Sequence, residues 1–340
     1  MDTAAMSSEM QKKILVTRNR IDSSAVDLLK ENGFECVFSP PYAKPEEVVE
    51  TAKANNVCAI MVSQGKITDA VITASGAVEV IAKHGSGVNN INLAAAEKHK
   101  IPVYRAAGAN ARAVAEHAIA LVIALRKSLP YLDDATKGGN WPKGTFIGKD
   151  FADTKLGLIG CGAIGREVAG MAMALGMKVS VFDPALLADG GASGPEGATV
   201  VADIETIATN SDVISLHCPL VPATKHLINR AFLEKMPSHA VIVNTARGGM
   251  IDEEALAEAL ENGVIAGAGI DSFEQEPPAA DATLFKAPNL IATPHAAGLT
   301  PGAERNMATM AARFIIDHFE GREIDPAFLA TSAALGGLQE

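Results

Sequence analysis

The stretch KLGLIGCGAIGREVAGMAMALGMKVSVFD, Lys155 to Asp183, constrains the fold more than any other part of the chain. An aliphatic run ends at a glycine turn, an apolar helical pattern follows, Gly176 closes it, and a second strand-like run ends on an acid. Gly160, Gly162 and Gly165 stand in G-x-G-x-x-G spacing. Among 30 glycines the spacing alone says little, but between a strand and a helix it has a physical reading. Gly160 makes the tight turn, Gly162 lets a pyrophosphate approach the backbone, and Gly165 lets the helix pack on the strand. The helix N-terminus, with Ala163 and Ile164 in its first turn, then faces the phosphates. Asp183 would accept hydrogen bonds from ribose hydroxyls and repel a 2′-phosphate. No Arg follows it, so NAD is favoured over NADP as the cofactor.

The same alternation of short apolar runs and helical patterns fills the chain, which predicts α/β architecture with parallel sheets. KILVT, ECVFS, VCAIMVS, VEVIAKHG and PVYRA read as strands of a first series. KLGLIG, KVSVFD, DVISLHCP, AVIVN, IAGAGID and NLIATPH read as strands of a second, larger doubly wound unit. Between them, residues 110–139 read as one long helical stretch, too apolar for a free surface helix and therefore buried between domains or between subunits. From Pro301 a further helix runs on. The first and last ten residues read as tails.

Composition narrows the class. The length, 340 residues, allows two domains, and 48% hydrophobic residues promise a large core. A formal charge of −11 argues against a partner that is nucleic acid or an anionic membrane, since both need clustered Lys and Arg. The start has no apolar signal region, and the run AIALVIAL is too short to span a bilayer. Cys36, Cys58, Cys161 and Cys218 are scattered without a CxxC pair, so reduced buried thiols and a cytoplasmic home are expected. No metal is expected.

Ligands of open α/β sheets bind outside the carboxyl ends of the strands. Arg247 follows AVIVN, Glu276 follows the strand that ends at Asp271, and His295 follows NLIAT. Three such turns should converge beside the nicotinamide. Hydride transfer to a carbonyl leaves an alkoxide that needs a proton, which a His can supply near neutral pH. A neighbouring carboxylate raises a His pKa and fixes its tautomer. An Arg forks onto a substrate carboxylate and polarises the adjacent carbonyl. Taken singly, each residue also has a plain structural reading; at three strand ends of one sheet they suit one task.

These motifs, together with HGSGVNNI, NARAVAEHAIALVIALRK, LHCPLVPATKHLIN, VNTARGGMIDEEAL, DSFEQEPP and TPHAAG, cover nearly the whole chain. The chain resembles the D-isomer-specific 2-hydroxyacid dehydrogenases, which include phosphoglycerate dehydrogenase, hydroxypyruvate and glyoxylate reductases, D-lactate dehydrogenase and formate dehydrogenase. The resemblance implies a Rossmann cofactor domain, residues 109–301, and a smaller flavodoxin-like substrate domain made of residues 1–108 and 302–340. It implies that Arg247, Glu276 and His295 are catalytic, and that Arg247 and His295 also meet the substrate. Asp271 would hold the nicotinamide carboxamide. His217, Pro219 and Thr224 would flank the adenosine half, and Thr245, Ala246 and His295 would line the cofactor. Ser86 and Gly87 would offer backbone N–H groups to the substrate carboxylate, a plausible anion nest. A helix over 111–136 would form part of a homodimer interface. Trp141, the only tryptophan, would either reach a partner subunit's active site or anchor packing.

Departures from the pattern refine the substrate. Val62 stands where enzymes of the phosphorylated substrate usually carry Arg, which favours a hydroxypyruvate- or glyoxylate-like acid. Ala163 stands where an Arg often follows the second glycine, and Asn89 replaces the usual Asp. Glu276 stands where formate dehydrogenases have Gln. The chain ends soon after its last helix, which leaves no room for the regulatory domain of some phosphoglycerate dehydrogenases. The reading is an NAD-dependent oxidoreductase of D-2-hydroxyacids and 2-ketoacids. Two alternatives stay open: phosphoglycerate dehydrogenase, with its phosphate held elsewhere, for example by Lys66, and an NAD(H)-sensing regulatory protein on the same fold.

Overall fold

The computed structural model describes residues 11–152, 154–188 and 190–331, so most of both expected tails lies outside the described residues. The chain divides into two compact units, Met1–Asn110 with Thr300–Glu340, and Ala111–Leu299.

The first unit runs β1 (Lys12–Val16), α1 (Ser23–Glu31), β2 (Phe34–Phe38), α2 (Pro45–Asn55), β3 (Ala59–Val62), α3 (Asp69–Ile72), β4 (Val80–Lys83), α4 (Leu93–Lys98) and β5 (Val103–Arg105). The strands pair in parallel in the order β2-β1-β3-β4-β5, the flavodoxin-like winding. Successive side chains of a strand point to opposite faces, and helices cover both, so the strands read as continuous apolar runs. Ile14, Val16, Met61 and Ala82 pack on one face with Ala308, Ala311 and Ile315 from the C-terminal helix. Leu15, Ile60, Val62 and Ile81 pack on the other with Val48, Ala52, Val71 and Ala96. Val62 is thus a fully buried core residue at the end of β3, not a loop residue.

The second unit runs α5 (Ala111–Arg126), α6 (Leu129–Lys137), β6 (Lys155–Ile159), α7 (Ala163–Ala174), β7 (Lys178–Phe182), α8 (Pro184–Ala188), β8 (Thr199–Val200), α9 (Ile204–Asn210), β9 (Val213–Leu216), α10 (Arg230–Leu233), β10 (Val241–Asn244), α11 (Glu253–Glu261), β11 (Gly267–Ile270) and β12 (Leu290–Ala292); α12 (Pro301–Phe319) then returns to the first unit. Its seven parallel strands lie in the order β12-β11-β10-β9-β6-β7-β8. The winding reverses between β6 and β9, and such a switch point is where dinucleotides bind. The pattern expected from sequence missed only short elements here, among them the two-residue β8.

The long helix expected over 111–136 is two helices. Arg126 ends α5, Ser128 takes a left-handed conformation at φ +50°, and α6 begins with Pro130 in its first turn. A proline ring clashes with the carbonyl four residues back, here that of Arg126, and it has no N–H to continue the ladder. Within its own unit α5 packs on β10, β11 and α7. α6 buries no residue.

Two glycines explain how closely α5 lies on the sheet. A Cβ at Gly269 would sit 3.1 Å from Leu121 Cβ, and one at Gly267 would sit 3.2 Å from Leu125 Cδ2. Four helical residues rise about 6 Å, and two strand residues rise about 6.6 Å. Residues 117, 121 and 125 of α5 therefore run in register with 271, 269 and 267 along β11. Replacing Gly269 with Val should overpack this seam and cost about 1–3 kcal/mol. Urea unfolding with an unchanged slope checks it, and a wild-type midpoint would refute the register.

Candidate active site

The expected glycine turn joins β6 to α7. Gly160 has φ +91°, and a Cβ on it would lie 2.6 Å from Cys218 N. A Cβ on Gly165 would lie 2.5 Å from Gly160 O, whereas one on Gly162 would meet nothing within 4 Å. Two glycines are thus fixed by close packing, and the third leaves open space in front of the helix. Gly162 is the N-cap of α7 without a side-chain cap, so the first-turn N–H groups of Ala163, Ile164 and Gly165 are free of a capping side chain. That arrangement fits a pyrophosphate. Asp183, at the end of β7, accepts Cys161 N at 2.7 Å through Oδ2 and Ala185 N at 2.8 Å through Oδ1. Each oxygen retains a lone pair for a ribose hydroxyl.

On the other side of the switch point stands His217. Its Nε2 lies 2.8 Å from Ser215 Oγ, and its Nδ1 is buried without a partner among the described residues. Burial pushes its pKa down to about 4. Thr224 shapes the loop beyond: its hydroxyl donates to Pro219 O at 2.7 Å and accepts Val221 N at 2.8 Å. Thr245, after β10, carries a buried hydroxyl that is also without a partner among the described residues, an open acceptor and donor for a ligand. Ala246 O is engaged by Arg247 Nη1 at 2.6 Å.

The trio comes together at the carboxyl ends of β10, β11 and β12. His295 Nδ1 lies 2.9 and 2.8 Å from the two oxygens of Glu276, and Phe273 N donates to Glu276 Oε1 at 3.0 Å. Burial alone would raise the Glu276 pKa, but the bonds from His295 and Phe273 N and the charges of His295 and Arg247 hold it below the ordinary carboxylate value. An ionised carboxylate only accepts, so His295 Nδ1 carries the proton and Nε2 is left for chemistry. Burial lowers the Arg247 pKa against the opposing charge of Glu276, and the guanidinium remains charged. Among the described residues no carboxylate lies within 4.0 Å of it. Its place depends on Gly248, where a Cβ would lie 1.8 Å from Phe273 C, so only glycine lets the Arg247 turn press against the Glu276 loop.

Three further residues were not singled out from sequence. Glu253 Oε1 accepts Glu274 N at 2.7 Å and braces the Glu276 loop. Thr293 and His117 stand in hydrogen-bonding line with Asp271. Only the repeated glycine of ARGG signalled a close approach; the other contacts are long-range and leave no local pattern. Asp271, expected at the carboxamide, is fully buried, and its carboxylate accepts Thr293 Oγ1, Ala296 N and Ala297 N. Ser86 and Gly87 lie in the first unit, just past β4, after Gly85 at φ +131°. The cysteines are free, and burial pushes Cys36, Cys58 and Cys218 up to about 11, so they stand as thiols near neutral pH. No helix among the described residues is long and apolar enough to cross a membrane.

The chain is similar to known proteins of one family. Residues 119–297 match the model of the D-isomer specific 2-hydroxyacid dehydrogenase NAD-binding domain. The chain is 38% identical over 291 residues to hydroxypyruvate reductase of Thermotoga maritima, covering 84% of this chain and 92% of that one. It is 35% identical over 309 residues to D-3-phosphoglycerate dehydrogenase of Archaeoglobus fulgidus, covering 91% of this chain but only 58% of that protein's length. The NAD-complexed D-isomer specific 2-hydroxyacid dehydrogenase of Lactobacillus delbrueckii ssp. bulgaricus superposes with a TM-score of 0.76 at 27% identity, covering 94% of this chain and all of that one. The chain belongs to the D-isomer specific 2-hydroxyacid dehydrogenase family, and NAD is its cofactor.

His217, half-buried with its Nδ1 out of reach of water, has a measurable signature. Its ring proton should titrate by NMR with a midpoint near 4. An unfolded His binds its proton from about pH 6.5. Between those values the unfolded state holds more protons, so this contribution to stability is full above the upper value and lost as pH falls toward the lower one. His217→Gln should weaken that acid loss. A midpoint at or above the unfolded value would show that the ring is solvated.

Proposed function

We propose that the chain interconverts D-2-hydroxyacids and 2-ketoacids, working as a reductase on a hydroxypyruvate- or glyoxylate-like acid. The observation that carries this reading is the Glu276–His295 pair, which keeps a proton on Nδ1 and leaves Nε2 as the nitrogen free to take up and give a second one. NADH, held at the glycine turn of Gly160, Gly162 and Gly165 and by Asp183, would supply the hydride for the carbonyl carbon. His295 gives the proton from Nε2 to the oxygen that gains charge, and Glu276 stabilises the imidazolium while it holds the ring in place. Arg247 meets the substrate carboxylate with its planar fork and draws electron density from the adjacent carbonyl. The buried surroundings of Arg247 strengthen that attraction relative to water. In the reverse direction His295 removes the hydroxyl proton.

The choice of acid rests on Val62, an apolar core residue where a phosphate-binding Arg would be needed, and on the high mutual coverage with the Thermotoga reductase. A second reading, 3-phosphohydroxypyruvate, is favoured by the similarity to the Archaeoglobus enzyme. NADH consumption by purified protein on hydroxypyruvate, glyoxylate, pyruvate, sulfopyruvate and 3-phosphohydroxypyruvate separates them. Hydroxypyruvate or glyoxylate should turn over fastest, and His295→Ala should lower kcat/KM by about 10²–10⁴-fold near neutral pH. Retained activity in that variant would remove His295 as the donor.

The reading includes a homodimer. Leu129, Tyr131, Trp141 and Ile147 are exposed apolar side chains of the second unit, surface of the kind that a partner subunit would cover. Sedimentation equilibrium at micromolar concentration should return twice the chain mass, and the mass of one chain would reject the dimer.

A further inference from the structure

We infer that His117 is a positioning residue for His295, acting through Thr293 and Asp271. The inference rests on the assignment of His295 as proton donor.

His295 stands in the left-handed region at φ +52°. A non-glycine residue holds that conformation only when its surroundings impose it. Asp271 supplies the restraint. Its backbone carbonyl accepts His295 N at 2.9 Å. Its Oδ1 accepts Ala296 N at 2.8 Å and its Oδ2 accepts Ala297 N at 3.0 Å. One buried residue therefore binds three consecutive N–H groups of the turn that aims the imidazole.

The outer end of this network is directed. Thr293 Oγ1 lies 2.6 Å from Asp271 Oδ1 and 3.0 Å from His117 Nε2. A hydroxyl has one proton, and a carboxylate ringed by donors takes it. The lone pair of Oγ1 then faces His117, so His117 Nε2 must be the donor. The chain runs His117 to Thr293 to Asp271, with the imidazole 3.7 Å from Asp271 Oδ1. His117 reaches this point because α5 and β11 keep register. Leu121 packs over Gly269 and Leu125 over Gly267, and the next step of each series is His117 and Asp271. The aim of His295 is thereby tied to the seat of a helix that carries no catalytic group.

Four variants test this. His117→Leu and Thr293→Val remove the donor and the relay. His117→Gln keeps an N–H donor at the place of Nε2, and Thr293→Ser keeps the hydroxyl. Hydrogen exchange of the Ala296 and Ala297 amides should quicken in the first two and stay near wild type in the second two. In the ketoacid assay the first two should lose kcat on the order of 10- to 100-fold, with KM for NADH little changed, and the second two should recover most of it. Exchange in His117→Leu as slow as in wild type, or His117→Gln behaving as His117→Leu, would overturn the inference. The exchange readout needs no turnover. A chain that shows the exchange pattern but reduces no ketoacid would keep the positioning network and sink the catalytic reading instead. Should His117→Leu fail to fold, Thr293→Val against Thr293→Ser decides by the same readouts.

Discussion

Parallel pairing of β10, β11 and β12 is the constraint on which the site depends. Val241 to Asn244 run beside Gly267 to Ile270, and Ala268 to Ile270 run beside Leu290 to Ala292, each in unbroken register. Parallel strands end on the same edge, so the three loops that follow must leave the sheet side by side. Arg247, Glu276 and His295 are 48 residues apart at the extremes by their numbers, yet they meet because each is the product of one strand end. Backbone pairing, not side-chain attraction, brings them together.

Once there, the electrostatics follow from burial. Removing water from Arg247 and Glu276 disfavours both charges, and each offsets the cost for the other. Glu276 also receives Phe273 N and His295 Nδ1, so its charge is held by directed donors. Gly248 makes this possible by omission, since any side chain there would occupy the backbone of Phe273. The glycine turn after β6 shows the same economy of atoms: backbone lies against Gly160 and Gly165, and open space lies in front of Gly162.

Much of the fold was legible because buried parallel strands must be apolar on both faces. AIMV, VISL and VIVN advertise themselves, and the helices between them carry caps and amphipathic stripes. The break after Arg126 is marked in the sequence only by Pro130, set within the apolar run of residues 110–139. What covers α5 within its own unit was likewise not legible. Apolarity reports that a helix is covered, not by what, and here Gly267 and Gly269 of its own sheet make the room. The placing of Arg247, Glu276 and His295 at three strand ends was readable, whereas the support from Glu253, Thr293 and His117 was not.

The sequence by itself determined two windings of alternating strands and helices, a glycine turn between a strand and a helix, and three chemical groups at the ends of successive strands. It could do so because each of these is written locally, in residue type and short spacing. Only the tertiary structure decided which nitrogen of His295 is free, why Gly248 must be glycine, and that Asp271 spends its carboxylate on the turn that carries His295. Those depend on hydrogen bonds and contacts between segments far apart in the chain, such as 248 against 273 and 117 against 293. No local pattern encodes such meetings, because they exist only after the sheet has set its register and the helix has settled on it.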